Sequence, residues 1–209
     1  MGKSLFLTVI YAVCSLCYMA AQGLVNVKHY SVKDGMSQNT VQGVLQDNEG
    51  YIWMATWNGL EKFDGYSFKN YKTYPTDKVK LQYNRLVNLQ LGGNQMLVCQ
   101  SYDRRVYLFD IRRECFEDVF VYHPEVKLCT AASKIITLPN GMVWIVGTNG
   151  DLWRIDCFRY KDKGGLVYLP AHSDAERKRY VFTVSLDMQG NEWVLTDLSL
   201  IHISEPTRH

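Results

Sequence analysis

Short apolar runs separated by polar turns fill most of the chain. First-strand candidates are Val41–Leu45, Leu86–Leu91, Ile135–Leu138 and Val181–Leu186. Each leads into a turn rich in Asp, Asn, Pro or Gly: Asp47-Asn48-Glu49-Gly50, Gly92-Gly93-Asn94, Pro139-Asn140-Gly141 and Asp187-Met188-Gln189-Gly190. Asn and Gly supply the positive-φ positions that tight hairpins require. A second strand follows, then a further turn, Trp57-Asn58-Gly59 in one place and Thr148-Asn149-Gly150 in another. Third strands are predicted at Leu60–Phe63, Val106–Phe109 and Leu152–Ile155, and more polar fourth strands at Tyr66–Tyr71 and Cys115–Val121. No segment between them has a helical period.

The units repeat. A Gly is followed three residues later by Trp at Gly50/Trp53, Gly141/Trp144 and Gly190/Trp193, with a weaker copy at Gly93/Met96. The copies are spaced at roughly 40–50 residues, the interval of four-stranded propeller blades. Thr56, Thr148 and Thr196 close the second strands, and Gly59 and Gly150 the turns after the first two of these. The predicted fold is therefore all-β: propeller blades of four antiparallel strands, about four in number and incomplete. Their expected limits are near 30–80, 81–128, 129–179 and 180–197. One blade cannot bury its own faces, so Trp53, Trp144 and Trp193 are read as residues that pack between blades.

The first unit carries a resemblance. Tyr30-Ser31-Val32-Lys33-Asp34-Gly35-Met36-Ser37, then Val41, then Gln46 to Gly65, QDNEGYIWMATWNGLEKFDG, resembles the two-component regulator propeller repeat, with Met36 and Ala55 as departures. The third unit matches in its middle, PNGMVWIVGTNGDLWRID. The resemblance implies the exported sensor part of a hybrid two-component histidine kinase. In that family propellers precede a β-sandwich, a membrane helix and a kinase, and many members detect oligosaccharides derived from complex glycans. It implies an oligosaccharide ligand, a periplasmic location, membrane attachment only through a downstream segment, and homodimerisation of the full-length form. Residues 24–30 alternate apolar and polar, as an outer strand closing a complete ring would.

Composition narrows the alternatives. The chain has 209 residues, 23 basic and 21 acidic, so no strong field points to nucleic acid. Aromatics reach 13%, in keeping with strands. Residues 1–23 read as a signal peptide, with Lys3 as its positive end, Leu5–Met19 as its apolar run and Ala21 and Gly23 as small cleavage-site residues; an uncleaved anchor is the alternative. Residues 198–209 read as a non-native tail, because Leu198 to Arg208 resembles the translation of a sequencing adaptor. Export leaves Cys99, Cys115, Cys129 and Cys157, widely spaced and without CxxC, which reads as buried free thiols rather than a metal site.

No catalytic motif of the GxSxG or HExxH kind is present, and no cofactor is expected. Asp34, Asp47 and Asp64 sit in turns and read as backbone-bonding residues. The binding candidates are Trp57, outside the repeated Trp position, and Tyr102-Asp103-Arg104, where the second unit abandons the repeat's turn. Aromatic faces stack on sugar rings while Arg and Asp bond hydroxyls. The basic run Arg177-Lys178-Arg179 reads as a solvated linker, or as a contact for an acidic glycan. The competing functions are a secreted propeller glycosidase or lyase, whose carboxylates would come from separate blades, and a protein-binding scaffold.

Overall fold

The computed structural model describes residues 27–203, apart from 78, 80, 94, 127–130, 174 and 176–179, together with residues 2, 3, 6 and 11. The greater part of the signal-like segment, Cys129, the Arg177–Arg179 run and residues 204–209 lie outside the described residues. The chain divides into two units, residues 1–30 and 31–209. In the first, residues 2, 3, 6 and 11 are helical and residues 27–30 form no strand. No helix of the described residues is long and apolar enough to cross a membrane.

The second unit is a row of antiparallel sheets, each formed by consecutive strands. The first contains β1 (Val41–Gln46), β2 (Ile52–Thr56), β3 (Gly59–Phe63) and β4 (Phe68–Tyr71). The second contains β5 (Leu86–Leu91), β6 (Met96–Ser101), β7 (Val106–Asp110) and β8 (Cys115–Glu117). The third contains β9 (Ala132–Thr137), β10 (Met142–Gly147), β11 (Leu152–Asp156) and β12 (Leu166–Leu169). The fourth has β13 (Val181–Leu186), β14 (Glu192–Thr196) and β15 (Leu200–Ile203). The up-and-down order puts the β1–β2 turn and its equivalents at one end of every sheet. The β2–β3 turn and the connections to the next sheet lie at the other end.

The cores lie between sheets, as stacking blades require. Trp53, Ala55 and Leu60 of the first sheet pack with Leu89, Leu97, Cys99 and Phe109 of the second. Val98 and Leu108 pack with Ile135, Val143 and Ile145 of the third. Trp144 and Leu152 pack with Val181, Val184 and Val194 of the fourth. The Trp53 ring lies 5.4 Å from Phe109 and 5.7 Å from Tyr71, an aromatic cluster that adds directional contact to area burial. Strands β6 and β10 are buried at every residue, because sheets cover them on both faces. That explains the apolar runs Met96–Cys99 and Met142–Val146.

The repeat register differs from the sequence reading in the second sheet. Ser185 pairs with Trp193, Leu45 with Trp53 and Ile136 with Trp144; the corresponding pair is Gln90 with Val98. Val98, not Met96, thus holds the Trp position. The turn glycine is displaced likewise: Gln95 takes φ 56°, matching Gly50 (91°), Gly141 (85°) and Gly190 (86°). In the third sheet Gly147, not Thr148, stands at the Thr56 position, since it pairs with Ala132 as Thr56 pairs with Val41. The hydroxyl there supports the following turn: Thr56 Oγ1 donates to the Gly59 carbonyl at 2.8 Å, and Thr196 Oγ1 to that of Ser199 at 2.9 Å. Gly59 combines φ 107° with close approach; a Cβ would lie 2.4 Å from the Tyr71 carbonyl oxygen.

One other expectation changes. Cys99 and Cys157 are buried free thiols, but Cys115 is exposed, because edge strand β8 is short and its first residue faces outward. The adaptor-like segment supplies β15, with Trp193 opposite His202 and Leu195 opposite Leu200. The Trp193 and His202 rings stack at 4.4 Å. An alternating apolar segment such as Leu-Ile-His-Ile pairs readily with an open sheet edge.

Candidate functional site

Trp57 and Tyr102 hold one equivalent backbone position. The Trp57 N–H donates to the Thr40 carbonyl at 3.3 Å, and the Tyr102 N–H to the Arg85 carbonyl at 2.9 Å. Thr148 N–H bonds Ala131 and Asp197 N–H bonds Tyr180 in the same way. Trp57 was expected outside the repeat; its backbone is part of the repeat, while its side chain is not. One fixed backbone position thus presents Trp, Tyr, Thr and Asp in successive sheets. Variable side chains on a constant scaffold are a common arrangement for binding.

The first two of these side chains converge on a residue that the sequence reading missed. Arg85 immediately precedes β5, at the same end of the sheets as the β2–β3 turn. Its guanidinium carbon lies 3.5 Å from the Trp57 ring centroid and 4.3 Å from that of Tyr102. Both rings are solvent-accessible, Trp57 at 41% and Tyr102 at 58%. The guanidinium is stacked by aromatic faces, a favourable cation–π geometry. Its Nε is buried and has no hydrogen-bond partner. Among the described residues the guanidinium makes no hydrogen bond or ion pair.

The remaining sequence candidates divide. Asp103 lies in the same loop: Ser101 Oγ donates to Oδ1, and Arg105 Nε lies 3.4 Å from Oδ2 as an ion pair, while Oδ2 itself is buried and accepts no hydrogen bond. Arg104 contributes backbone. At φ 65° it occupies the left-handed position that Gly150 fills at 79° in the third sheet. Its N–H donates to the Ser101 carbonyl at 2.8 Å, and its carbonyl accepts from Ala132 N–H at 2.8 Å. The rim therefore joins Trp57, Arg85 and Tyr102, with Asp103 as a neighbour already paired within its loop.

Other concavities are of different character. A cavity of about 480 Å³ at the opposite end is lined by Asp47, Leu91, Ile111, Pro139 and Phe158, among others. Asp47 is committed there to the fold: Oδ1 accepts from Glu49 and Tyr51 N–H, and Oδ2 from Trp53 Nε1 at 2.7 Å. Asp64 similarly accepts from the Ser67 N–H and then the Tyr66 N–H, which holds its carboxyl below the usual range. Asp34 caps its own turn by accepting from Ser31 N–H. An outer groove of about 630 Å³ holds Glu117, bonded by Lys161 Nζ and Tyr122 Oη at 2.8 Å each. No group of three or more His, Cys, Asp or Glu suited to a metal occurs among the described residues.

Comparison with known proteins agrees with this architecture. Residues 35–58 match the family model described as the two-component regulator propeller. The chain is 32% identical over 76 residues to histidine kinase P4 of Formosa agariphila, covering 36% of this chain and 6% of that protein. Its structure is similar to the extracellular domain of the B. thetaiotaomicron protein BT4673, described as a hybrid two component system. That match has a TM-score of 0.52 at 19% identity, over 85% of this chain and 21% of the other. It is also similar to the C-terminal WD40 domain of Sif2, with a TM-score of 0.54 at 12% identity, over 81% and 48% of the two chains. The chain spans only a small part of the curated relative it matches. It carries the two-component regulator propeller repeat, at residues 35–58, within an all-β array of propeller sheets.

Proposed function

We propose that this chain is the extracytoplasmic, periplasmic sensing propeller of a hybrid two-component system. Its ligand is an oligosaccharide derived from a complex glycan, and its output is a histidine kinase beyond this chain. The observation that supports the reading is the rim triad: two exposed rings flanking an arginine that has no acidic partner in the described structure. Exposed aromatic faces receive the C–H face of a pyranose ring, and polar groups beside them fix its orientation. Binding would stabilise one of two arrangements of the exported region, and that bias would pass to the kinase. The enzyme reading, which needs carboxylates from separate blades, is less favoured, because the triad itself contains none.

Calorimetric titration of the chain with a panel of neutral and acidic oligosaccharides tests the proposal. Binding by at least one member, weakened in Trp57→Ala, is the expected result. Heat from none of the panel would remove the sugar-sensing reading.

A further inference from the structure

We propose that the ligand received at this rim carries a carboxylate, as a uronic acid residue does, and that Arg85 receives it edge-on. The inference rests on the sugar-sensing reading and adds the chemical class of the sugar. It begins with the geometry of the guanidinium. A planar guanidinium has two faces and an edge, and all five of its N–H donors lie in its plane. The Trp57 and Tyr102 rings stand against the guanidinium at 3.5 and 4.3 Å, and its N–H groups point along its own plane.

The guanidinium has no anionic partner among the described residues. Arg85 Nε is buried and without a hydrogen-bond partner, an unfavourable state for a charged donor in a folded protein. Nearby acids do not relieve it. Asp103 is paired with Arg105, and Glu117 lies in the outer groove with Lys161. Nε itself is closed off from solvent, so the ligand meets the two terminal nitrogens, whose outward N–H groups form a parallel pair of donors that fits the two oxygens of a carboxylate. A neutral sugar hydroxyl can accept one of these bonds, but it supplies neither the second acceptor nor the opposite charge. The exposed parts of the two rings offer stacking surface to the same sugar ring. One uronate residue thus satisfies the triad at once: its ring lies against an indole or phenol, and its carboxylate lies against the guanidinium edge.

The test uses trigalacturonate and its methyl ester, which has the same shape but no charge, titrated into the full chain. Calorimetry gives affinity, and quenching of Trp57 emission, identified by its loss in Trp57→Phe, gives location. The acid should bind about ten-fold or more tightly than the ester, with the gap narrowing as salt is raised. Arg85→Lys keeps charge but loses the donor pair, and should close most of that gap; Arg85→Ala should close it entirely. Circular dichroism and thermal melting report folding, and Arg85→Lys carries the conclusion if Arg85→Ala does not fold. Equal binding of acid and ester, or binding of neutral oligosaccharides alone, overturns the carboxylate proposal and leaves sugar sensing in place. Failure of every acidic and neutral saccharide to bind overturns both.

Discussion

The Trp144 indole donates to Glu192 Oε2 at 2.5 Å, across the gap between the third and fourth sheets. Arg154, beside Trp144 on β11, closes on the same carboxylate: Nε lies 2.9 and 3.0 Å from its two oxygens, and Nη2 2.6 Å from Oε1. The reason lies six residues before the tryptophan. In the first and fourth sheets that residue is an aspartate, and the indole bonds within its own sheet, Trp53 to Asp47 and Trp193 to Asp187. In the third sheet it is Leu138, so the buried indole takes its acceptor from the neighbouring sheet. A requirement to satisfy one N–H thereby becomes a link between blades.

That link makes Glu192 a strong determinant of stability. Glu192→Ala removes the Glu192 carboxylate from Arg154 and from the Trp144 indole in a buried setting, and the expected loss is about 3 kcal/mol. Glu192→Gln keeps acceptors for Trp144 and should cost about half as much. Urea unfolding midpoints measure both. Equal midpoints for the wild type and Glu192→Ala would contradict the assignment.

Much of the architecture was legible in the sequence because it rests on residues with few substitutes. Gly50, Gly141 and Gly190 take positive φ at the same turn, and Trp53 and Trp144 fill the space between sheets. The second sheet was misread for a physical reason. Gln95 adopts φ 56° without being glycine, and Val98 fills a tryptophan's position, so neither expected letter appears. The rim was only half legible. Trp57 and Tyr102 stood out as aromatics in turns, but their common position depends on backbone bonds to Thr40 and Arg85 that no motif encodes. Arg85 gave no local signal, because its significance arises only when two blades bring their rings to it.

Arg104 tests the difference between a residue in a binding loop and a residue that shapes one. A non-glycine side chain at φ 65° stores strain of about 1 kcal/mol. Arg104→Gly should therefore stabilise the chain by up to about 1 kcal/mol, allowing for the freedom glycine gains when unfolded. Saccharide affinity should change little. A thermal melt and a titration on one preparation check both; weakened binding at unchanged stability would restore Arg104 as a contact residue.

The described thiols should separate by environment. Burial pushes Cys99 up and pushes Cys157 up to about 12, so neither presents a thiolate near neutrality. Cys115 is also raised, first by partial burial and then by Glu117 and Asp110, yet it is exposed. Iodoacetamide at mildly alkaline pH should modify Cys115 in the folded chain, more slowly than a free thiol. Cys99 and Cys157 should react only in denaturant. Peptide mass spectrometry reads the order directly, and early labelling of Cys99 would place the second sheet's core in solvent.

Asp187 should leave an acid signature. Its carboxyl is lowered to about 2, chiefly by the Asn191 side chain and then by the Trp193 indole, with the Asn191 and Gln189 N–H groups adding to the effect. The unfolded value is about 3.9. Between the two values the unfolded chain binds the proton and the folded chain does not, so stability rises with pH across that window. The contribution is fully present above the unfolded value and is lost as pH falls through about 2. Asp187→Asn abolishes this titration. Urea midpoints taken between about pH 4 and pH 2 should fall more steeply in the wild type than in Asp187→Asn. Parallel curves would mean that Asp187 carries no special bond in solution, and that the β13–β14 turn is held by its backbone alone.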